Sequence, residues 1–409
     1  MISNFKIIND PVHGFINIPS GVVSKIVEHS WFQRLRDIKQ LGFTNLVYPG
    51  AVHSRLSHAL GAMHLMREAI AVLRLKGIAI TEREEEAASV AMLLHDIGHG
   101  PFSHALENNI IAGVSHEEIS LALMNKLNTE LGGEIEMAIS IFEGNYSKFF
   151  LHQLVSGQLD TDRLDYLKRD SFFSGVAEGM IGLDRIIKML SVEDNYLVVE
   201  EKGIYSIEKF LISRRLMYWQ VYLHKTVVAA EQLLINILGR ARYLSAKGVK
   251  LDGSPAISYF LIREFTPETF AKKEVLEMFT RLDDTDIMSA IKQWQYSSDN
   301  TLSLLCRMLT RRRLPKLIFF ESRPHQSIYN SSLEEFNSYF KGSKEVDPTY
   351  FVTVGEVINF GYDSKEGEIM IRLKTGDIKD VYEISDMLSA RAFSQVTKKH
   401  FLCIANIKE

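Results

Sequence analysis

Two cysteines, Cys306 and Cys403, are all that this 409-residue chain contains. Two thiols so far apart make no disulfide framework and point to a reducing compartment. No apolar run is long enough to span a bilayer, and the opening Met1-Ile2-Ser3-Asn4-Phe5-Lys6 lacks the basic and then apolar regions of a signal peptide. The expectation is a soluble, cytoplasmic protein with no membrane partner. An excess of charge is missing too: 47 Lys and Arg against 51 Asp and Glu leave a net charge of -4. A global field that attracts nucleic acid is thereby excluded, and a polyanion has to be held by a local cluster, which favours a small anionic ligand. Internal repeats and low-complexity tracts are also absent. What is present is 46% hydrophobic residues, enough for a sizeable core and, on length, roughly two to three domains.

Alternation from Lys6 to Pro19, broken at Asp10-Pro11 and Gly14, predicts a short hairpin. Val22 to Leu41, His53 to Leu75 and Arg83 to His95 place apolar residues at three- and four-residue intervals and predict helices packed as a bundle. Ser115 with Glu117 and Glu118 marks a helix start ahead of Ile119 to Leu127, and another helix is expected from Asp162 to Phe173. Tyr196 to Glu200 and Gly203 to Ser206 read as a second hairpin, and Ile207 to Leu244 as one long helix rich in aromatic and basic residues. Helical segments follow near Thr269 to Thr280, Ile287 to Trp294 and Leu302 to Leu309. Gly342-Ser343-Lys344 and Asp347-Pro348 punctuate a linker. After it, Tyr350 to Asn359, Glu368 to Lys374 and Phe401 to Ile407 alternate like strands around a helix near Val381 to Ala390.

One segment carries chemistry: His95-Asp96-Ile97-Gly98-His99-Gly100-Pro101-Phe102-Ser103-His104. An adjacent His-Asp pair between an apolar run and a Gly-Pro turn is a poor way to build a core. An imidazole nitrogen beside a carboxylate oxygen instead suits a borderline divalent ion such as iron, manganese, zinc or nickel. Two neighbouring ligands do not close a site. Others are available from His53-Ser54-Arg55-Leu56-Ser57-His58 upstream and from Asp160-Thr161-Asp162-Arg163-Leu164-Asp165-Tyr166 downstream, each at a helix start. The competing readings are a core or capping role for His58 and an N-cap role for Asp160 or Asp162.

In their order these residues resemble the HD-domain metal-dependent phosphohydrolases, whose pattern of His, His-Asp and Asp reads here as His58, His95-Asp96 and Asp162. Within that superfamily the likeness is to the deoxynucleoside triphosphate triphosphohydrolases. It is carried by Asn9-Asp10-Pro11-Val12-His13-Gly14, Phe32-Gln33-Arg34-Leu35-Arg36, Ile38-Lys39-Gln40-Leu41-Gly42, Tyr48-Pro49-Gly50-Ala51, the His95 to His104 run and Asp165-Tyr166-Leu167-Lys168-Arg169-Asp170. It extends from about residue 5 to about residue 320 in constant order. The fold it implies is mainly α, an HD-domain helical bundle with small β-hairpins over residues 1–245 and a helical extension over 246–345 as an oligomer or activator interface; beyond the resemblance, the alternation above predicts a smaller α+β C-terminal region over 346–409.

The resemblance further implies one divalent transition metal held by His58, His95, Asp96 and Asp162, with magnesium accompanying the nucleotide. It makes His104 the proton donor, Glu107 its orienting carboxylate where the family usually has aspartate, and His116 and Arg55 phosphate contacts. Arg163, where lysine is common, and Arg214 hold the triphosphate; Lys225 is a further cation. Gln40 and Asp170 take the 3'-hydroxyl, Leu41 lies beside them, Tyr166 crowds the 2' carbon and Tyr222 flanks the base. Lys168 and Arg169 read as a solvated face, His99 as either a backbone-bonded or a catalytic histidine, and Tyr222 without the family as core. Family members with nucleotide activators use positions matching Asn9, Gln33, Arg36, Arg312 and Lys316. Here Glu28 replaces an aspartate and Phe15 a histidine, and Arg311-Arg312-Arg313 reads equally as an exposed helix end.

The expected activity is hydrolysis of deoxynucleoside triphosphates to deoxynucleoside and inorganic triphosphate. The expected partners are a nucleotide substrate, a nucleotide activator and further copies of the chain in a dimer or tetramer. The alternatives are an HD phosphohydrolase acting on a nucleoside monophosphate, a cyclic nucleotide or a guanosine polyphosphate, or a nucleotide-responsive regulator that binds nucleic acid.

Overall fold

The computed structural model describes residues 5–102, 113–340, 346–359, 368–387 and 397–406. It is mainly α, as expected. A two-stranded hairpin, Lys6–Asp10 with Gly14–Ile18, lies at the start. Behind it the long helix Arg55–Leu75 packs against both Glu82–Leu94 and Thr161–Ser174. Ser54 caps the first of these, its side chain accepting from the Ser57 amide. Thr81 and Glu84 form a reciprocal capping box on the second, and Ser115 with Glu118 does the same for His116–Glu130.

Gly61 lets the bundle close. A Cβ there would sit 2.1 Å from Asp165 Oδ1 and 2.2 Å from Arg169 Nη2, so any side chain would push the Arg55–Leu75 and Thr161–Ser174 helices apart. Gly98 does the same for the His-Asp turn, where a Cβ would meet the His116 carbonyl at 2.2 Å.

Several expectations change. Val22 to Leu41 is not one helix: Val22–Glu28 stops at His29, whose ring accepts from the Trp31 amide, and Ser30–Gln33 and a 3-10 turn, Arg34–Asp37, follow. Chain reversal by a side-chain cap is invisible to apolar spacing. The second hairpin pairs Tyr196–Glu200 with the preceding Leu190–Glu193 across Asp194-Asn195, both at positive φ, while Ile204 onward is helical. The long helix is two, Ile204–Met217 and Lys225–Ala246, separated by a wide turn over Tyr218–Tyr222 and capped by His224.

After residue 246 come Pro255–Leu261, Pro267–Phe270, Lys273–Phe279, Asp284–Trp294 and Asn300–Thr310. The final strands join what precedes them. Met370–Arg372 pairs parallel to Tyr196–Glu200, and Thr397–Ile404 lies between Lys316–Phe320 and Val352–Asn359. The helix near Val381 ends at Ile384; residues 388–390 lie outside the described residues. Among the described residues no helix is long and apolar enough to cross a membrane.

Candidate metal centre and its cavity

Helix ends deliver the candidate ligands. His58 sits on the first turn of Arg55–Leu75, His95 is the C-cap of Glu82–Leu94, and Asp162 lies in the first turn of Thr161–Ser174. Asp160, the rival carboxylate, is the N-cap of that helix and accepts from the Arg163 amide at 2.7 Å. Ligand atoms of His58, His95 and Asp162 all lie within 4.8 Å of one another. Asp162 Oδ1 is 3.0 Å from His58 Nε2 and 3.5 Å from His95 Nε2. Asp96 stands beside the trio, Oδ1 3.3 Å from His95 Nε2 and Oδ2 3.8 Å from His58 Nε2, while Oδ2 also takes Arg55 Nη1 at 2.6 Å.

The far side of each imidazole fixes which nitrogen faces inward. His58 Nδ1 meets Asp165 Oδ2 at 2.8 Å, and His95 Nδ1 meets the Met92 carbonyl at 2.7 Å. In the neutral rings each Nδ1 therefore carries the proton, and each Nε2 is the nitrogen with a lone pair to offer. Both Nε2 atoms are buried without a hydrogen-bond partner. Two lone pairs converging with carboxylate oxygens fit a divalent cation of the nitrogen-and-oxygen class.

Without a cation the carboxylates favour the protonated imidazole. Burial lowers the His58 pKa, but the adjacent Asp162 and Asp165 carboxylates outweigh it and hold it up at about 10. Burial opposes the shift on Asp162 as well, yet the two histidines pull its carboxyl well down. A cation here displaces protons, so its affinity falls with pH.

His58 links this cluster to a second one that the sequence did not reveal. Asp165 also receives His13 Nε2 at 2.6 Å and Arg169 Nε at 2.8 Å, and Arg169 reaches on to Asp10 at 2.8 Å. Arg169, expected on a solvated face, is fully buried. A buried guanidinium needs carboxylates around it, and helical spacing could not show that Asp10, 159 residues away, supplies one.

The metal cluster opens into a cavity of about 740 Å³ lined by Gln40, Leu41, Arg55, Asp96, His116, Asp162, Arg163, Tyr166, Asp170, Arg214 and Tyr222. Arg163 is braced by Asp160, and Arg214 Nη1 bonds Gln158 Oε1 at 2.9 Å. Asp170 is held at both oxygens, by His53 Nε2 and by the Tyr222 hydroxyl, each at 2.8 Å. Tyr166 and Tyr222 face one another edge-on at 6.2 Å, and Tyr218 sits 5.2 Å from Tyr222. The wide turn at Tyr218–Tyr222 brings both rings to the wall, so Tyr222 lines the cavity while also packing against the core. His116 stacks on His99 at 4.0 Å.

His104 and Glu107 lie outside the described residues. Of the activator positions, Gln33 Oε1 accepts from Arg36 Nη2 at 2.8 Å, Arg312 bonds the Leu46 carbonyl at 2.7 Å, Lys316 opens a strand and Asn9 sits on the hairpin opposite Phe15. His13, His53, Tyr218 and Asp165 were missed as site-shaping residues; their signal is a contact between segments, absent from any single one.

Comparison with known proteins finds two family matches. The HD domain matches residues 55–167 and the HD associated region residues 181–242. A crystal structure of a phosphohydrolase from Bacteroides thetaiotaomicron is 49% identical, with a TM-score of 0.94 over 98% of this chain and 100% of that one. The Bacillus subtilis protein YwfO is 32% identical over 394 residues, 93% of this chain and 88% of its own length. A Dictyostelium discoideum protein named as a deoxynucleoside triphosphate triphosphohydrolase SAMHD1 homolog is 31% identical over 255 residues, 58% of this chain and 49% of its own. Motif, fold and relatives matched along nearly the whole length lead to one statement: the chain belongs to the HD-domain family.

Proposed function

We propose that this HD-domain protein is a metal-dependent phosphohydrolase that cleaves deoxynucleoside triphosphates at the alpha-phosphate, water entering and deoxynucleoside and inorganic triphosphate leaving. The observation that carries it is the pair of partnerless Nε2 atoms of His58 and His95, converging with Asp162 at a cavity walled by Arg163, Arg214, Tyr166 and Asp170. A divalent ion bound there supplies Lewis acidity, lowering the pKa of water and offsetting phosphoryl charge.

The remaining work falls to side chains. Arg163 and Arg214 offer planar forks suited to the leaving triphosphate. Arg55, bonded to Asp96, sets that carboxylate and adds positive charge, and His116 contacts the phosphates. Asp170, oriented by His53 and Tyr222, and Gln40 accept and donate to the sugar 3'-hydroxyl. The Tyr166 ring fills the space a 2'-hydroxyl needs. His104 returns a proton to the departing 5'-oxygen, oriented by Glu107. The activator positions and a homo-oligomer belong to the same reading.

Phosphorus NMR of products from a panel of dNTPs and matched rNTPs, with and without chelator, tests it. Inorganic triphosphate from dNTPs alone, abolished by chelator, is expected. Orthophosphate or pyrophosphate as the main product overturns it.

A further inference from the structure

The turn from Leu282 to Asp284, in the region after residue 246, bonds segments that border the cavity. Asp284 opens the Asp284–Trp294 helix, whose N-cap is Asp283. It is buried, yet it faces away from its own helix. Its Oδ2 accepts the Lys39 amide at 3.1 Å and its Oδ1 the Phe102 amide at 3.2 Å. The two amides belong to segments 245 and 182 residues distant from it in sequence. Lys39 adds its ammonium at 3.5 Å.

Both segments border the cavity. Lys39 precedes Gln40, Leu41 and Gly42, and Phe102 itself lines the wall. Phe102 holds φ at 51°, a left-handed conformation costly to a bulky aromatic. It persists because its amide is tied to Asp284 and its ring stacks on Phe43 at 4.4 Å. The same turn grips the His-Asp loop from the other side. The Leu282 carbonyl accepts Arg34 Nη1 at 3.0 Å, while Arg34 Nη2 donates to the Ile97 and His99 carbonyls at 2.8 and 2.9 Å. The buried Arg34 and Asp284 thus join one turn of the later region to both loops that frame the cavity.

We infer that Asp284 is a positioning residue: it holds the Lys39–Gly42 and Phe102 walls in register and so sets substrate affinity without touching substrate or metal. The kinetic part rests on the proposed function. The mechanical part does not.

Asp284→Asn keeps the volume and one acceptor oxygen but turns an amine toward one of the two N–H groups. Hydrogen exchange at the Lys39 and Phe102 amides is expected to quicken together by about tenfold or more, with the Arg55–Leu75 helix unchanged. KM for a dNTP rises by about tenfold while kcat stays within about threefold, and metal content by elemental analysis is that of the wild type. Should Asp284→Asn not fold, Asp284→Ser, which suits a helix start but cannot span two amides, takes its place. In a folded variant, faster exchange at only one amide or at neither overturns the inference, as does a fall in kcat with KM unchanged. A wild-type protein that releases no triphosphate sinks the proposed function alone, because the exchange measurement needs no substrate and still decides.

Discussion

The two sides of the His58 ring belong to opposite kinds of polar cluster. At Nδ1, Asp165, His13, Arg169 and Asp10 meet one another's polar atoms with their side chains almost wholly buried. At Nε2, His95, Asp162 and Asp96 come together with nitrogen lone pairs that no donor meets. Buried polar atoms are nearly always satisfied, since an unmet one costs a desolvation penalty with no return. A protein that closes one face of a ring so completely has no structural need to leave the other open. The open face is where a ligand belongs; the closed face is the frame that aims it.

Removing one residue from each side breaks the comparison most directly. Asp162→Ala deletes the open-face carboxylate from a partly exposed position at a helix start, so turnover is expected to fall to background with the fold retained. A thermal scan gives a reading apart from activity. A divalent ion at a hundredfold excess over its Kd stabilises the wild type by about 2.7 kcal/mol, and Asp162→Ala loses that shift. A variant that keeps both turnover and shift refutes the site.

Asp165→Ala acts on the closed face, stranding Arg169, His13 and His58 at once. Breaking such a buried pair costs about 3–5 kcal/mol, so urea unfolding should show the largest loss of stability of any single change here. Equal stability of Asp162→Ala and Asp165→Ala would erase the distinction between the faces.

These expectations also mark what the sequence could disclose. The open cluster was legible because His95-Asp96 is contiguous and His58 and Asp162 each start a helix in the family's order. Local chemistry and order survive in one dimension. The closed cluster was not, because Asp165 meets His58 across 107 residues and His13 across 152, and nothing near Arg169 betrays its burial. Helix breaks followed the same rule. Ser115 and Glu118 announced a helix start, whereas the imidazole caps at His29 and His224 and the wide turn at Tyr218 left apolar spacing intact and were read through.

A finer probe lies on the cavity wall, where Asp170 resembles the closed cluster in having both oxygens engaged yet faces ligand space. Tyr222→Phe removes one of its two anchors. If Asp170 serves the sugar, KM for a dNTP should rise about two- to tenfold, the worth of one ordinary hydrogen bond, with little change in stability or metal content. A stability loss without a kinetic one would assign Asp170 to the frame.

The smallest effect on the site is expected from a satisfied, buried charge at the far end of the helix that carries His95. Glu84 closes the capping box with Thr81 and receives Lys148 at 2.8 Å and the Tyr146 hydroxyl at 2.8 Å. Burial alone would raise its pKa, but Lys148, the Thr81 amide and Tyr146 outweigh it and bring it to about 2, from an ordinary value of 4.5. A folded-state pKa below the unfolded one means the carboxylate contributes stability above pH 4.5, and that contribution drains away as pH falls toward about 2. Glu84→Gln should therefore be less stable than wild type at neutral pH and converge with it in acid, with metal loading at neutral pH unaltered. Curves that run parallel down to pH 2 would mean the charge on Glu84 contributes nothing and that the capping geometry alone holds this end of the His95 helix.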